Sequence, residues 1–272
     1  MGIRSSDIEV GVDARKDQLR LHPARASLYE GSYSGDIRVD ARRDTARYSV
    51  DEKLEGVKFG AMLDDMFGVS RLSGVTALSV QSTAVGNSVN AIKQSLDGKV
   101  SLRVTDGAIE GMNLRESLRK AHARVENRPY QREDMAERTR FAELLAQGRL
   151  EKGVFINEIL DMRLPFLRVD GDGRADLVAA TVDYEIRAKV VEDDSLEGSL
   201  GELSGLVIPV KITGDMAAPS IKPAVGEALK AKAKAELDAK REQARQDAKK
   251  DIDEKKEEAE DKLKDKLRGL FD

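Results

Sequence analysis

Apolar and polar residues alternate along much of the first two thirds of the chain. The longest alternating run has five apolar residues at every second position: Val182, Tyr184, Ile186, Ala188 and Val190. A shorter run contains Val100, Leu102 and Val104. Successive side chains of a β-strand point to opposite faces, so these runs predict strands with one apolar and one polar face. We therefore predict a mainly β fold, an elongated and twisted antiparallel sheet whose apolar face covers or encloses something.

Glycine and aspartate punctuate the predicted strands and indicate where the chain turns. Asp106-Gly107 follows the run that ends at Val104 and predicts a turn there. Gly171-Asp172-Gly173 predicts another turn, between a strand that includes Val169 and the residues from Leu177 onward. The apolar run that leads to Val169 consists of Leu164, Phe166 and Leu167.

Three short helices interrupt the predicted strands, because apolar residues there recur at every third or fourth position. The first helix spans residues 59–67 and ends before Gly68, a residue that commonly terminates helices. The second runs from Val89 through Leu96 and ends at Gly98. The third begins after Asn113, whose side chain is suited to accept a hydrogen bond from the first turn of a helix.

Two shifts in composition divide the chain. Residues 124–137 are highly charged and contain Pro129, which predicts an exposed linker or insertion. From residue 224 onward Ala, Lys, Glu, Asp and Leu dominate and proline is absent, which predicts a long helix. We therefore predict a β-rich domain over residues 1–223, which contains the insertion, and a charged helix over residues 224–272.

The apolar stripe of the terminal helix is thin, and opposite charges are interspersed along it. Its large apolar residues cluster at the C-terminal end: Leu263, Leu267, Leu270 and Phe271. Two interpretations remain open. The helix is either solvated with one weakly packed edge, or its leucine-rich end docks on a partner or a membrane surface.

Charge and aromatic content argue against nucleic-acid binding. The chain has 46 Lys and Arg against 50 Asp and Glu, a net charge of −4, and an aromatic content of 4% without tryptophan. There is no overall basic excess to track phosphates and few rings on which bases could stack, so we expect no nucleic-acid partner. The absence of cysteine excludes disulfides and cysteine-ligated zinc.

The residue patterns indicate no catalytic apparatus. No serine is flanked by glycine at both positions that a nucleophile elbow requires. His22 and His122 are far apart, and we interpret both as surface or packing residues. Residues 170–173 alternate aspartate with glycine as a calcium loop does, but Arg174 and Thr181 stand where that loop needs ligands. We predict no catalytic residues, no metal, no cofactor and no enzymatic activity.

Three segments together resemble the AsmA family. The first, residues 96–119, has a short helix, a strand, an Asp-Gly-Ala-Ile turn and a further helix. The second, residues 139–184, is similar to the repeated strand hairpins of that family. The third, residues 206–214, leads through two prolines into an Ala-Lys helix that ends Leu-Arg-Gly-Leu-Phe. The resemblance covers residues 35–272.

The resemblance implies a noncatalytic protein of Gram-negative envelope biogenesis, related to bridge-like lipid-transfer proteins. It implies a periplasmic location and a tether to the inner membrane through an N-terminal segment absent from this chain. The curled sheet would form a groove whose partners are phospholipid acyl chains, and envelope or outer-membrane proteins are further expected partners. The leading hypothesis is that the groove shields and conducts phospholipid across the periplasm between the two membranes. The alternative is a scaffold that assists outer-membrane protein assembly.

A groove for acyl chains needs apolar side chains on one face and polar side chains on the other, as the alternation supplies. We predict eight lining residues: Val100, Leu102, Val104, Leu164, Phe166, Val182, Tyr184 and Ile186. An ordinary closed core has the same alternation, so both interpretations stay open for each side chain.

Overall fold

The computed structural model describes residues 2–68, 71–132, 136–191 and 203–268. Within these ranges twelve strands form one sheet, in which each strand pairs antiparallel with the next one along the chain. The strands are β1 (Ser6–Arg15), β2 (Gln18–Leu28), β3 (Gly31–Asp40), β4 (Arg47–Lys58), β5 (Leu72–Val85), β6 (Asp97–Glu110), β7 (Arg138–Glu151), β8 (Val154–Arg163), β9 (Leu167–Asp176), β10 (Thr181–Val190), β11 (Val207–Asp215) and β12 (Ser220–Pro223). The prediction of a mainly β, antiparallel fold is confirmed.

Four helices accompany the sheet in the described part of the chain: α1 (Phe59–Phe67), α2 (Val89–Gln94), α3 (Leu114–Val125) and α4 (Val225–Arg268). α1 ends at Gly68, which has a left-handed φ of 66° and donates its N–H to the carbonyl of Asp64. α3 begins after Asn113, whose side-chain oxygen accepts the N–H of Glu116 at 3.0 Å. Both boundaries agree with the sequence prediction because they depend on local capping chemistry.

The prediction that the second helix continues through Leu96 to Gly98 is wrong. α2 ends at Gln94, and Gly98 already belongs to β6. The hydroxyl of Ser95 accepts the N–H of Val85 at 2.8 Å and donates to its carbonyl at 2.6 Å. These two bonds tie the end of the helix to β5, so the chain enters β6 about one helical turn earlier than the apolar spacing suggests.

The predicted turn at Asp106-Gly107 is a β-bulge inside β6. The partner register with β5 shifts between Ser73, which faces Ala108, and Val75, which faces Thr105. Two residues of β6 therefore oppose one of β5, and Asp106 adopts a φ of 49°. An extra residue in one strand bends it without ending it.

The predicted turn at Gly171-Asp172-Gly173 is also wrong, because all three residues lie inside β9. Gly173 pairs with Tyr184, and a Cβ on Gly173 would come within 2.5 Å of that ring. The glycine thus makes room for a neighbouring side chain. The actual turn follows Asp176, whose carboxylate accepts the N–H groups of Val178 and Ala179, both at 2.8 Å.

The predicted insertion over residues 124–137 is only partly irregular. α3 continues to Val125, so the first two of these residues are helical. Residues 126–132 and 136–137 form neither helix nor strand. Residues 133–135 lie outside the described residues.

The chain divides into two compact units, Met1–Gly226 and Glu227–Asp272. The first unit contains the sheet and the three short helices. The second unit is made of α4, in which the apolar side chains of Leu237 and Ile252 are 50% and 55% exposed.

The predicted docking end of the terminal helix is not tested. Leu263 and Leu267 lie within the backbone of α4, while Leu270 and Phe271 lie outside the described residues. Docking through these four residues stays a prediction.

α1 packs on the sheet through a small buried cluster of Leu28, Val57 and Met62. Val57 is fully buried and belongs to β4, where it pairs with Thr76 of β5. Partly buried apolar residues surround this cluster: Tyr29, Tyr33, Leu54, Phe59 and Met66. One end of the sheet therefore has a covered apolar face.

Candidate functional site

The strand registers place an unbroken row of nonpolar residues and one tyrosine across eleven strands, from β2 to β12. Each residue in this row is the direct partner of the next: Ala26, Tyr33, Leu54, Leu78, Leu102, Ala146, Leu160, Gly171, Ile186, Val210 and Pro223. Direct partners in an antiparallel pair point to the same side of the sheet. We call this side the apolar face, and the opposite side the polar face.

Six of the eight predicted lining residues lie on the apolar face, in four parallel rows. Leu102 and Ile186 share the row just described, and Val100 shares a neighbouring row with Tyr184. The other two of the six, Val104 and Val182, lie in the rows on either side of these. With strands spaced about 4.8 Å apart, Leu102 on β6 and Ile186 on β10 are roughly 19 Å apart along the sheet. The face is therefore long enough to hold an extended chain.

Leu164 and Phe166 do not lie on strands. They occupy the connection between β8 and β9, where their side chains are only 1% and 5% exposed. The guanidinium of Arg115 on α3 stacks over the Phe166 ring at 5.1 Å from its centre. These two residues form part of a closed end of the sheet. Their apolar run predicts a strand, because a buried loop has no distinct sequence signature.

Most polar side chains on the apolar face form hydrogen bonds with neighbouring residues. Glu52, the one charged residue in the described rows, accepts a hydrogen bond from the Tyr33 hydroxyl at 3.3 Å. Burial, and secondarily this carboxylate, raises the pKa of Tyr33 to about 12, so the phenol stays neutral. Asn157 donates to the carbonyls of Gln147 and Ile159 at 3.1 and 2.6 Å. The face therefore presents an almost uncharged surface to whatever lies on it.

The polar face carries cross-strand ion pairs. Arg187 and Asp170 are direct partners on β10 and β9, and their side chains form a 2.5 Å ion pair. Arg103 and Arg163 both approach the carboxylate of Glu143 between them. Exposed pairs of this kind contribute about 0–1 kcal/mol each, so they make this face soluble more than they stabilise the fold.

The apolar face is open at the two edges of the sheet. β1 and β12 each pair with one strand only within the described chain. On β1 the side chains of Val10 and Val12 are 44% and 65% exposed, and Ile221 on β12 is 51% exposed. In the middle of the face Val104 is fully buried. The apolar surface thus changes from sealed to accessible along the sheet.

Several residues of the apolar face were missed by the sequence analysis. Leu54 and Leu78 lie on β4 and β5, where Glu52 and Thr76 interrupt the apolar side of the alternation, so period two gives only a weak signal for them. Leu160 could not be found in this way, because the β8 register shifts between Asn157 and Leu160 and breaks the alternation. The bulge, and not a change in polarity, hides this position.

The described ranges contain neither a cluster of metal-ligating side chains nor a membrane-spanning helix. No group of three or more histidine or acidic side chains is arranged to hold a metal ion there. Among the described helices none combines the length and apolar character needed to cross a bilayer. The predicted lack of catalytic activity and of a cofactor stays a prediction.

Comparison with known proteins identifies the family. A sequence model of the AsmA family matches residues 1–160, which includes the first 34 residues that the sequence resemblance left out. Protein AsmA of Escherichia coli (strain K12) is 22% identical over 215 residues, which cover 79% of this chain and 35% of that protein. The chain therefore spans about a third of the length of this relative. No solved structure matches the chain.

The family model covers more than half of the chain and includes residues 96–119, the first segment of the sequence resemblance. The predicted resemblance is confirmed. This protein belongs to the AsmA family.

Proposed function

We propose that the apolar face of the sheet shields phospholipid acyl chains and conducts them between the inner and outer membranes. The observation that carries this proposal is the row of nonpolar residues and one tyrosine that crosses eleven strands, from β2 to the unpaired edge strand β12. Apolar surface of this extent on a soluble domain needs an occupant, because leaving it in water costs about 25 cal/mol for each Å².

The family assignment supports the same setting. The AsmA family is associated with assembly of the envelope and the outer membrane. We place this protein in the periplasm, tethered to the inner membrane through a segment outside this chain. In this setting the apolar face would keep the acyl chains of a phospholipid out of water while the lipid crosses the periplasm, without any catalytic step.

A scaffold that assists outer-membrane protein assembly is the second candidate. The unpaired edge of β1 favours it, because ten residues from Ser6 to Arg15 contain no proline and offer free backbone groups on one side. Such an edge can accept a strand from another protein. By contrast, the other edge strand has four residues and ends at Pro223.

Mass spectrometry of lipids that copurify with the full-length protein separates the two candidates. A conduit should retain phospholipid in a stoichiometry of several molecules per protein, and a Leu102→Asp substitution should reduce it. A scaffold should retain little lipid but crosslink to outer-membrane proteins through β1. If no phospholipid copurifies above the level found with an unrelated periplasmic protein, the conduit proposal is wrong.

A further inference from the structure

A second feature lies mainly on the polar face. An open cavity of about 650 Å³ is formed where β1, β3 and β5 end and β2 and β4 begin. Most of its lining residues are polar-face positions, and they include four arginines: Arg15, Arg20, Arg38 and Arg47. The acidic residues in the lining are Asp13 and Asp40. This excess of cations runs against the net charge of −4 of the whole chain.

Two of the arginines are held in place from outside the cavity. Arg20 and Arg38 are direct partners on β2 and β3, so two like charges face each other. Asp36 accepts two hydrogen bonds from Arg20, at 3.1 and 2.7 Å, and two from Arg38, at 3.2 and 2.8 Å. Asp36 itself is not part of the lining. Because a guanidinium has five N–H donors, each arginine keeps donors that Asp36 does not use.

The acids that do line the cavity are already engaged. Asp13 accepts a hydrogen bond from Nε of Arg15 at 3.1 Å. Asp40 accepts hydrogen bonds from Nε and Nη2 of Arg42 at 3.0 and 2.6 Å. Arg47 is the direct cross-strand partner of Asp40, yet its side chain forms no ion pair within the described part of the chain. One guanidinium is thus free, and two more are oriented with unused donors.

We propose that this cavity binds a phosphate-bearing anion. The planar fork of arginine matches the spacing of phosphate oxygens, and several forks held by neighbours lose little freedom when the anion arrives. Leu19, Val39 and Tyr48 also border the cavity, so a phosphate attached to an apolar group can fit. The phosphate belongs either to a lipid headgroup or to a small soluble molecule. The four arginines lie on the polar face, so anion binding by them does not depend on the proposed role of the apolar face.

The test measures binding of the purified protein to two probes. Flotation with phosphatidylglycerol vesicles, against phosphatidylcholine vesicles, probes a lipid headgroup, and titration with glycerol phosphate probes a soluble anion. The decisive variant is Arg47→Gln, because Arg47 has no ion pair to break and the fold should keep its melting temperature. We expect it to weaken binding about tenfold, the loss of one charge-assisted contact. Arg20→Gln with Arg38→Gln should weaken it further.

Arg187→Gln is the matched control, since Arg187 also lies on the polar face and is ion-paired, but lies outside the cavity. Binding of vesicles alone identifies a lipid headgroup, and binding of glycerol phosphate identifies a soluble ligand. Binding of either probe supports the site if Arg47→Gln weakens the binding of that probe and Arg187→Gln does not. The proposal is overturned if neither probe binds, or if both variants bind as the unmodified protein does.

Discussion

Thr76 has a buried hydroxyl without a partner. Its side chain is 1% exposed, and its hydroxyl oxygen makes no hydrogen bond among the described residues. Val57 and Val104 are its cross-strand partners, so apolar side chains lie on both sides. Leaving a buried polar group unsatisfied costs about 1–3 kcal/mol. We predict that Thr76→Val raises the free energy of unfolding by about 1 kcal/mol, measured by urea denaturation.

Thr139 is the matched control, because it is also buried but fully engaged. Its hydroxyl accepts the N–H of Leu114 at 2.9 Å and donates to the carbonyl of Met112 at 2.7 Å. Thr139→Val should therefore lower the free energy of unfolding by about 1–2 kcal/mol. Equal destabilisation by the two substitutions would show that the Thr76 hydroxyl is not a liability.

Asp36 makes the sheet sensitive to acid. Hydrogen bonds from Arg20 and then Arg38 hold the pKa of this carboxyl well below its usual range. A pKa lowered by folding gives stability that is present above the ordinary value near 3.8 and is lost as the pH falls below it. We predict that Asp36→Asn lowers the urea midpoint at pH 7. The urea midpoints at pH 7 and pH 3 should also differ less in this variant than in the unmodified protein. If the urea midpoints of Asp36→Asn at pH 7 and pH 3 differ as much as those of the unmodified protein, this carboxylate is not the cause of the acid sensitivity.

At the scale of the element, the β6 bulge needs a glycine at position 107. A Cβ there would come within 2.1 Å of the Phe141 ring and 2.6 Å of the Ser73 carbonyl oxygen. Overpacking of this kind costs about 1–3 kcal/mol, so we predict that Gly107→Ala lowers the free energy of unfolding by that amount. Phe141→Leu in the same protein should recover part of the loss. If the two changes are simply additive in denaturation experiments, the ring is not the obstacle.

The elements show which sequence signals were sufficient. The caps of α1 and α3 were predicted because Gly68 and Asn113 act on their own turns. The Asp-Gly and Gly-Asp-Gly segments were wrongly predicted to be turns. Their glycines instead make room for the rings of Phe141 and Tyr184 on neighbouring strands. A glycine that makes room for a distant ring looks the same in sequence as one that turns the chain.

For the whole molecule, alternation predicted the sheet and the polarity of its faces but not the closure of its ends. Leu102 and Ile186, chosen from the alternation in their own strands, lie on one face, and their role as groove lining stays a prediction. Leu164 and Phe166 lie on the β8–β9 connection and are buried, which the alternation cannot show because their burial depends on the packing of α3. Strand order and edges follow from pairing between strands, which the sequence pattern does not contain.

Whether the middle of the apolar face is open or sealed decides its function. Leu102, Val182 and Ile186 are half-buried, whereas Val104 and Val190 on the same face are 0% and 1% exposed. A charge at a sealed position is stranded in apolar surroundings and costs several kcal/mol. At a half-buried position, water or lipid headgroups can reach it, so the fold survives while acyl chains meet an obstacle.

We therefore predict that Leu102→Asp, Val182→Asp and Ile186→Asp, made separately in the full-length protein, each keep the melting temperature within ~5 °C. They should reduce lipid copurification and abolish complementation of an envelope defect. Val104→Asp and Val190→Asp should instead unfold the sheet, because both side chains are sealed. Collapse of melting in all five variants would mean that the face is an ordinary closed core. In that case the exposed edge of β1, and not the apolar face, would be the surface on which the protein acts.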